Sequence, residues 1–368
     1  MSQSQIEIQL VAALVAAACA IPGVFLVLRR VALMSDAISH TVLFGIVIGF
    51  IVLRDIQNPI LIVFAAGAGV LTVSLTELLL KTRRVHEDAA IGLVFPALFS
   101  IAVIIITQNF GDIHLDVDAV LLGELAFAPF NRVDILGASL PRGVVIMVII
   151  LAINLVLLAV FYKELKLATF DAGLAAALGF APALIHYGLM TSVSVTVVGA
   201  FDHVGSILVI ALMIAPPAAA YLLTDKLGRM LLYSVMIAVA AAIGGYWMAR
   251  ALNVNISGAM ASIVGLLFLA ALLFAPERGL IAKSIQRMRR GERFAVEMLL
   301  VHLTRHENTP DEARENSLPH LIEELNWHPQ AARMTVIRAA SQGWIEQETD
   351  RLNLTTKGRA RGLTLLAR

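Results

Sequence analysis

The chain has 368 residues, of which 59% are hydrophobic and only 15% are charged, against about 25% charged residues in ordinary soluble domains. This composition excludes a soluble globular protein and predicts a protein that spans a membrane. The net charge of +1 is too small to indicate a nucleic-acid partner for the whole chain, and the single cysteine, Cys19, excludes a disulfide or a multi-cysteine metal site within one chain.

Nine apolar segments are long enough to cross a bilayer, whose hydrocarbon core of about 30 Å needs about 20 helical residues. The region 116–130 could form a further short helix or a re-entrant piece, so we expect eight to ten spans. The nine segments are residues 6–28, 31–53, 57–80, 88–107, 143–162, 182–200, 204–223, 230–249 and 255–275.

Basic residues predict the orientation of these spans, because cytoplasmic loops carry an excess of Lys and Arg. With the N-terminus outside, the inner loops hold nine basic residues and the outer loops hold four. The inner ones are Arg29, Arg30, Lys81, Arg83, Arg84, Lys163, Lys166, Lys226 and Arg229, and the outer ones are Arg54, Arg132, Arg142 and Arg250. An odd number of spans then places the C-terminal region in the cytoplasm of a cell whose inner membrane holds the protein.

Asp36 and His40 are two ionisable residues in an otherwise apolar span, four residues apart and therefore on one face of a helix. Such residues are costly in a membrane unless they are paired or line a pathway. A carboxylate with an imidazole suits manganese, iron or zinc better than magnesium or calcium. We interpret the pair as part of a metal path; the alternative is a structural Asp–His hydrogen bond, or a position close enough to the cytoplasmic end to reach water.

Other polar residues are weaker candidates for metal contact. Glu124 lies in the apolar sequence LLGELAF, and Asp202 and His203 lie between two apolar runs, where an ordinary outer turn is the alternative. Glu77 lies near the inner end of its span, where its side chain is expected to reach the interface. Three more acidic or imidazole groups, also in the outer segment before the fifth span, are His114, Asp116 and Asp118.

The sequence contains no GxxxxGK[ST] phosphate loop, no GxSxG elbow and no HExxH pair. ATP hydrolysis by that loop and hydrolase chemistry are therefore not expected, and we interpret the chain as a transport protein rather than an enzyme. If ATP drives it, another chain must supply the motor.

Four separated blocks, in this order, resemble the membrane subunits of manganese, zinc and iron ATP-binding-cassette importers: LRRVALMSDAISHTVLFGIVIGF, EDAAIGLVFPALFS, KELKLATFDAGLAAALGF and VGSILVIALMIAPPAAAYLLT. The resemblance covers about residues 6–280. It implies a permease that pairs with a second copy or a related permease, with two cytoplasmic ATP-binding subunits, and with an extracytoplasmic metal-binding protein. It also implies a transported Mn, Zn or Fe ion and no tightly bound cofactor.

The same resemblance assigns roles to particular residues. Asp36 and His40 match an acid and a histidine of the family's metal path. The block from Phe170 to Gly179 looks like the family's cytoplasmic segment that couples to the ATPase, and we carry that role to Phe170, Asp171, Ala175 and Gly179. Asp202 and His203 differ from many family members.

The C-terminal region has a different composition, with fifteen of the 28 Lys and Arg and twelve of the 27 Asp and Glu in residues 277–368. A basic stretch there suits an anionic membrane surface. Helices near 294–305, 318–325 and 330–341, followed by a short hairpin, resemble a winged helix of the iron- and manganese-dependent repressor type. The small excess of bases makes a contact or regulatory module more favourable than a DNA-binding one, although Arg333 and Arg338 could enter a major groove.

The sequence therefore predicts an all-α polytopic membrane protein with a small C-terminal α+β winged-helix domain. We expect a permease domain at 1–280, a basic linker at 281–293 and a cytoplasmic domain at 294–368. The expected function is the membrane-spanning subunit of an ATP-driven importer of a divalent transition metal. Two alternatives are a secondary metal transporter without an ATPase and a membrane-bound metal-responsive regulator.

Overall fold

The computed structural model of the protein describes residues 2–55, 58, 60–109, 123, 125–135, 138–348 and 351–367. The chain divides into two compact units, a membrane unit at 1–279 and a tail unit at 280–368. The described part of the chain is mostly helical, as expected.

Eight helices of the described residues are long and apolar enough to cross a membrane, and all lie in the membrane unit. Seven of them match predicted single spans, with bounds that differ by a few residues. The eight are α1 (Gln3–Arg29), α2 (Leu33–Leu53), α3 (Leu61–Lys81), α4 (Glu87–Asn109), α5 (Arg142–Val160), α8 (Pro182–Leu223), α9 (Leu227–Leu252) and α10 (Ile256–Phe274).

The segments 182–200 and 204–223, which we expected as separate helices, are two helices that meet at a kink, and we describe them together as α8, a segment of 42 residues. Its backbone breaks at Gly205, with φ 74° and ψ 169°, a region of dihedral space that is essentially restricted to glycine. The two predicted runs are thus two helices, and the chain changes direction between them at a single glycine.

The two halves of α8 fold back on each other. Asn154 donates to the carbonyl of Ala18 in α1 and to the hydroxyl of Thr196 in the first half of α8. Five residues further along α1, the backbone of Gly23 lies against the carbonyl of Met213 in the second half. In a straight helix Thr196 and Met213 would be about 25 Å apart, so α1 could not contact both within so short a distance.

Small residues bring the membrane helices close together. A Cβ on Gly45 of α2 would lie 2.4 Å from the carbonyl oxygen of Phe64 in α3, so only glycine allows this approach. Nearby, Thr72 of α3 donates a 2.8 Å hydrogen bond to Thr41 of α2. Close backbone contact and short polar bonds therefore hold α2 against α3 where no hydrophobic effect operates between helices.

The segment 110–141, between α4 and α5, is described only in part. Leu125–Phe127 forms one 3₁₀ turn, and an antiparallel hairpin follows, which the sequence did not predict. Its strands are β1 (Arg132–Ile135) and β2 (Ala138–Pro141). Arg132 of β1 forms an ion pair of 3.0 Å with Glu7 at the start of α1, which attaches the hairpin to the first span.

Two short helices follow α5, namely α6 (Tyr162–Phe170) and α7 (Ala172–Ala177). Asp171 separates them with extended backbone and caps α7 by accepting the amide of Leu174 at 2.8 Å. A sharp corner with a capped second helix is the result.

The tail unit begins with the long helix α11 (Leu280–His306). Residues 281–293, which we expected as a linker, are thus helical and continuous with the predicted first helix of the tail. The other elements are α12 (Glu312–Glu315), α13 (Leu318–Glu324), α14 (Pro329–Ser341), the antiparallel strands β3 (Ile345–Glu348) and β4 (Arg351–Leu354), and α15 (Thr356–Leu366).

A small hydrophobic core holds the tail unit together. Leu299, Leu300 and Leu303 of α11 are fully buried, and Val336 of α14 and Leu352 of β4 pack in the same cluster. The helices and the hairpin occur where the sequence placed them; α12 and α15 were not predicted.

Candidate functional site

Asp36 and His40 lie on one face of α2, in its first two turns. Asp36 Oδ1 is 3.3 Å from His40 Nε2, and 36% of each side chain is exposed. Two atoms that bind one zinc-sized ion lie about 3 to 3.5 Å apart, so the separation suits two ligands of one cation. The pair lies at a surface of the membrane unit and is not sealed in its core.

Two aromatic rings of α4 fix the imidazole of His40. Phe95 stacks on it with a centroid distance of 5.4 Å and an angle of 22°, and Phe99 meets it edge-on at 6.2 Å. The stacking directs Nε2 toward Asp36 and removes rotational freedom that a bound cation would otherwise have to restrict. The arrangement can hold a divalent transition metal with a carboxylate and an imidazole.

Asp202 and His203 lie in α8, directly before its break at Gly205. His203 is buried, its Nε2 has no hydrogen-bond partner among the described residues, and its ring packs against Gly143 at the start of α5. Asp202 is exposed. The burial of His203 therefore results from its position beside the break, where the two halves of α8 meet. No ion pair or hydrogen bond among the described residues joins Asp202 or His203 to the Asp36–His40 pair.

Glu124 and its neighbours His114, Asp116 and Asp118 lie outside the described residues. Their expected contact with an arriving cation stays a prediction. Gly123, which the structure does describe, has a φ of 66°, and its α-carbon lies against the backbone of Val204 and Gly205. Gly123 therefore packs on the break in α8.

A polar network that sequence reasoning missed links α1, α3 and α8. His186 Nε2 lies 2.9 Å from Glu77 Oε1, its Nδ1 lies 3.3 Å from Arg29, and the hydroxyl of Tyr187 donates to the other oxygen of Glu77. Arg29 also donates to Thr169 in α6 at 3.1 Å. Glu77 is thus bonded across helices rather than extended alone toward the interface, as we had expected.

The network could not be found from spacing, because its contacting members lie between about 110 and 157 residues apart in sequence. The available signal was the presence of an acid, a histidine and an arginine at the same predicted end of three spans. Its position next to α6 connects the membrane helices to the segment that the resemblance assigns to ATPase coupling.

The segment from Phe170 to Gly179 presents apolar side chains to its surroundings. Phe170 is 61% exposed, Leu174 46% and Leu178 61%, and we call these three residues the docking face. Ala175 is fully buried and fastens α7 to the membrane unit, while Gly179 ends the segment with a φ of 86°. Exposed aromatic and leucine side chains at a capped corner are typical of a surface that binds another protein.

Comparison with known proteins places residues 3–275 within the ABC 3 transport family. The chain is 47% identical to the zinc transport system membrane protein TroD of Treponema pallidum (strain Nichols), over 352 residues that make up 96% of each protein. It is 45% identical to the manganese transport system membrane protein MntD of Bacillus subtilis (strain 168), over 75% of this chain and 93% of that protein.

A solved structure of PsaBC from Streptococcus pneumoniae in complex with Fab is similar in fold, with a TM-score of 0.64 and 26% identity. The similarity covers 76% of this chain and 94% of that one. The family match ends near the end of the membrane unit, whereas the match to TroD extends over nearly the whole chain. The tail unit is therefore an addition to the family domain that is shared with some relatives.

Proposed function

Because the chain belongs to the ABC 3 transport family and is a multi-pass membrane permease, we propose that it is the membrane-spanning subunit of an ATP-driven importer of a divalent transition metal: manganese, zinc or iron. The relatives named above are membrane proteins of zinc and manganese transport systems. The subunit itself is a transport component and not an enzyme.

The observation that carries this proposal is the Asp36–His40 pair. A carboxylate and an imidazole 3.3 Å apart, half-exposed in a membrane helix and fixed by Phe95, form a binding surface for a cation that must be released again. A path needs such partial coordination, because complete coordination by protein ligands would hold the ion too tightly to pass.

Metal uptake by cells that express substituted chains tests the pair. Asp36→Asn and His40→Gln keep the size of the side chains but remove a ligand charge or a ligand atom, and each should lower uptake at least ~10-fold, the usual minimum for disturbed metal coordination. Asp88→Asn is the matched control, since Asp88 is an exposed aspartate in the first turn of α4.

The contrary result is that both variants of the pair take up metal at the wild-type rate when present in the membrane at wild-type amounts. That result would show that the metal path does not include Asp36 and His40. An equal loss of uptake in Asp88→Asn would show that removing an acidic charge near any helix start lowers uptake, without a specific metal contact. Either result would contradict the proposal.

We assign nine crossings to the membrane unit, with the N-terminus outside and the tail unit in the cytoplasm. The 42 residues of α8 would extend about 63 Å as a straight helix, about twice the hydrocarbon core, and the fold-back at Gly205 lets its halves cross in opposite directions. The excess of basic residues in one set of loops supports the orientation.

Thiol labelling tests the orientation. On a Cys19→Ala background, which removes a buried thiol, a cysteine replacing exposed Ala172 should react with an impermeant reagent only after the cytoplasmic side is opened. Labelling of Ala172→Cys from the outside of intact cells would reverse both the topology and the role of α7.

Cytoplasmic ATP-binding subunits would bind the docking face, because Phe170, Leu174 and Leu178 project from a corner that Arg29 and Thr169 connect to the spans. Closure of two such subunits would move two permease copies, or a copy and a related permease, between outward and inward states. An extracytoplasmic metal-binding protein would deliver the ion to the outer segment. Membrane lipid surrounds the remaining helices.

For the tail unit we propose a winged-helix-like module that contacts or regulates the transporter. The order of α13, α14, β3, β4 and α15 supports the likeness. Arg338 of α14 forms an ion pair of 2.7 Å with Glu292 of α11, which leaves it poorly placed to enter a DNA groove. A regulatory role is therefore favoured over DNA binding.

A further inference from the structure

Five potential metal ligands converge on one side of the tail unit. His302 and His306 lie one turn apart near the end of α11, Glu315 ends α12, and His320 and Glu324 lie one turn apart on α13. They form two triads that share Glu315, and within each triad one ligand atom from every residue lies within 4.8 Å of the others. We call the five residues the tail cluster.

The ligand atoms of the tail cluster lie at short distances. His320 Nε2 is 2.8 Å from Glu315 Oε2 and 3.1 Å from Glu324 Oε2. The same oxygen of Glu324 is 3.8 Å from His302 Nδ1, and the rings of His302 and His306 lie 4.6 Å apart. Three separate helices thus bring two carboxylates and three imidazoles to one place.

The ring of His302 is held as a metal-binding imidazole usually is. Its Nε2 lies 3.1 Å from the backbone carbonyl of Glu315, which can only accept a hydrogen bond, so Nε2 carries the proton. In the neutral ring, Nδ1 then presents a lone pair toward Glu324. Protein histidines that bind metals commonly donate their other ring N–H to a backbone carbonyl in this manner.

The tail cluster places more hydrogen-bond acceptors than donors around His320. Two carboxylate oxygens face the single Nε2–H of His320, and a third acceptor, Nδ1 of His302, faces one of the same oxygens.

We propose that the tail cluster binds a divalent transition metal. A shared cation would replace the proton between His320 and the carboxylates and would accept the lone pair of His302. Imidazoles mixed with carboxylates suit zinc, manganese or ferrous iron, whereas calcium and magnesium prefer oxygen ligands alone. The site is separate from the Asp36–His40 pair, since it belongs to the tail unit.

One consequence rests on the proposed function. If the tail unit lies in the cytoplasm of an importer, the tail cluster is exposed to the ion that the membrane unit has delivered. Occupancy of the cluster would then report the cytoplasmic supply of metal.

The test is metal binding by the purified full-length protein with Asp36→Asn and His40→Gln already in place, so that the membrane pair contributes nothing. Equilibrium dialysis against Zn²⁺ measures stoichiometry, and the visible absorption of bound Co²⁺ reports nitrogen and oxygen coordination. We expect at least one ion per chain. Adding His320→Gln or Glu324→Gln should lower the affinity at least ~10-fold.

Matched controls use neighbours outside the tail cluster. Glu323→Gln removes an exposed carboxylate beside Glu324, and His328→Gln removes an exposed imidazole before α14. Both should bind metal as the parent does. Because Glu324 is itself largely exposed, its substitution leaves the core of the tail unit intact.

Three results would overturn the proposal: no bound ion in the parent, equal affinity after either cluster substitution, or equal loss in the two controls. The first two results would mean that the tail cluster only forms hydrogen bonds between α11 and α13. Since binding is measured without transport, failure here would leave the importer proposal untouched, and failure of uptake would leave the tail site untouched.

Discussion

The membrane unit and the tail unit assemble their candidate metal ligands in opposite ways. In the membrane unit, Asp36 and His40 lie on one helix, four residues apart, among apolar residues. In the tail unit, the ligands come from three helices and lie among ordinary charged residues. An ionisable residue within an apolar span stands out in the sequence, because burying its charge in a membrane is costly. An ionisable residue in a soluble domain does not stand out, because water solvates it at little cost. A cluster of such residues is therefore found only in the tertiary structure.

The docking face provides the largest expected effect and tests whether the membrane unit communicates with partners through exposed apolar side chains. Burying a Phe or Leu side chain contributes about 1.5–3 kcal/mol, so Phe170→Ala with Leu178→Ala should weaken binding of the ATP-binding subunit at least ~10-fold. Co-purification and ATPase activity in the assembled transporter measure this.

Leu266→Ala is the control for the docking face, because Leu266 is a similarly exposed leucine in the apolar helix α10. An equal loss of the ATP-binding subunit from this variant would mean that general destabilisation explains the effect. Unchanged assembly after the double substitution would place the contact elsewhere.

Gly205 tests whether the membrane unit depends on one break in a helix. A side chain in this region of dihedral space costs about 1–3 kcal/mol, so Gly205→Val should lower the amount of folded protein and its thermal stability in detergent. Gly265→Ala, in a helical position with open space around it, should be neutral or stabilising by about 0.5–1 kcal/mol. Normal stability of Gly205→Val would show that α8 can reverse without glycine.

Substitution of Glu77 tests whether its network with Arg29, His186 and Tyr187 couples the movement of the spans to that of α6. Glu77→Gln keeps the shape but weakens the two contacts of this side chain, to His186 and to Tyr187, each worth about 0.5–1.5 kcal/mol. We expect a small loss of stability and a larger loss of metal-stimulated ATPase activity. Glu277→Gln, in an exposed turn after α10, should change neither.

Removal of the tail unit is expected to have the smallest effect of these changes on insertion of the chain into the membrane. It separates the role of the tail unit from that of the membrane unit. Truncation after Gln286 leaves every apolar helix, so the chain should reach the membrane in nearly normal amount. Transport should lose part of its response to cytoplasmic metal, measured as uptake after preloading cells with zinc or manganese. An identical response in the truncated and full-length proteins would separate the tail from regulation.

Much of the fold follows from local sequence. The apolar runs predicted the membrane helices because a bilayer leaves no water to satisfy backbone groups, so about 20 apolar residues have few alternatives to a helix. The helices α13 and α14 and the hairpin of the tail were also predicted within a few residues. The expected linker at residues 281–293 is instead part of the helix α11, although Gly291 lies within it.

The geometry around the candidate metal ligands Asp36 and His40 could be predicted only in part. Asp36 and His40 could be paired from their spacing, because a helix places such residues together whatever surrounds it. The stacking of Phe95 and Phe99 on His40 could not, since it depends on how α4 packs against α2. His203 was recognised as a candidate, but its burial depends on the break at Gly205 and on the start of α5.

The sequence by itself determined that this protein crosses a membrane many times, which face of α2 carries its ionisable pair, and where the soluble tail begins. Only the tertiary structure decided that α8 folds back at Gly205, that Glu77 meets His186 and Arg29, and that five residues of the tail form one cluster. The physical reason is range: hydrophobic length and helical spacing act within one element, whereas these contacts join elements whose approach depends on the packing of the whole unit.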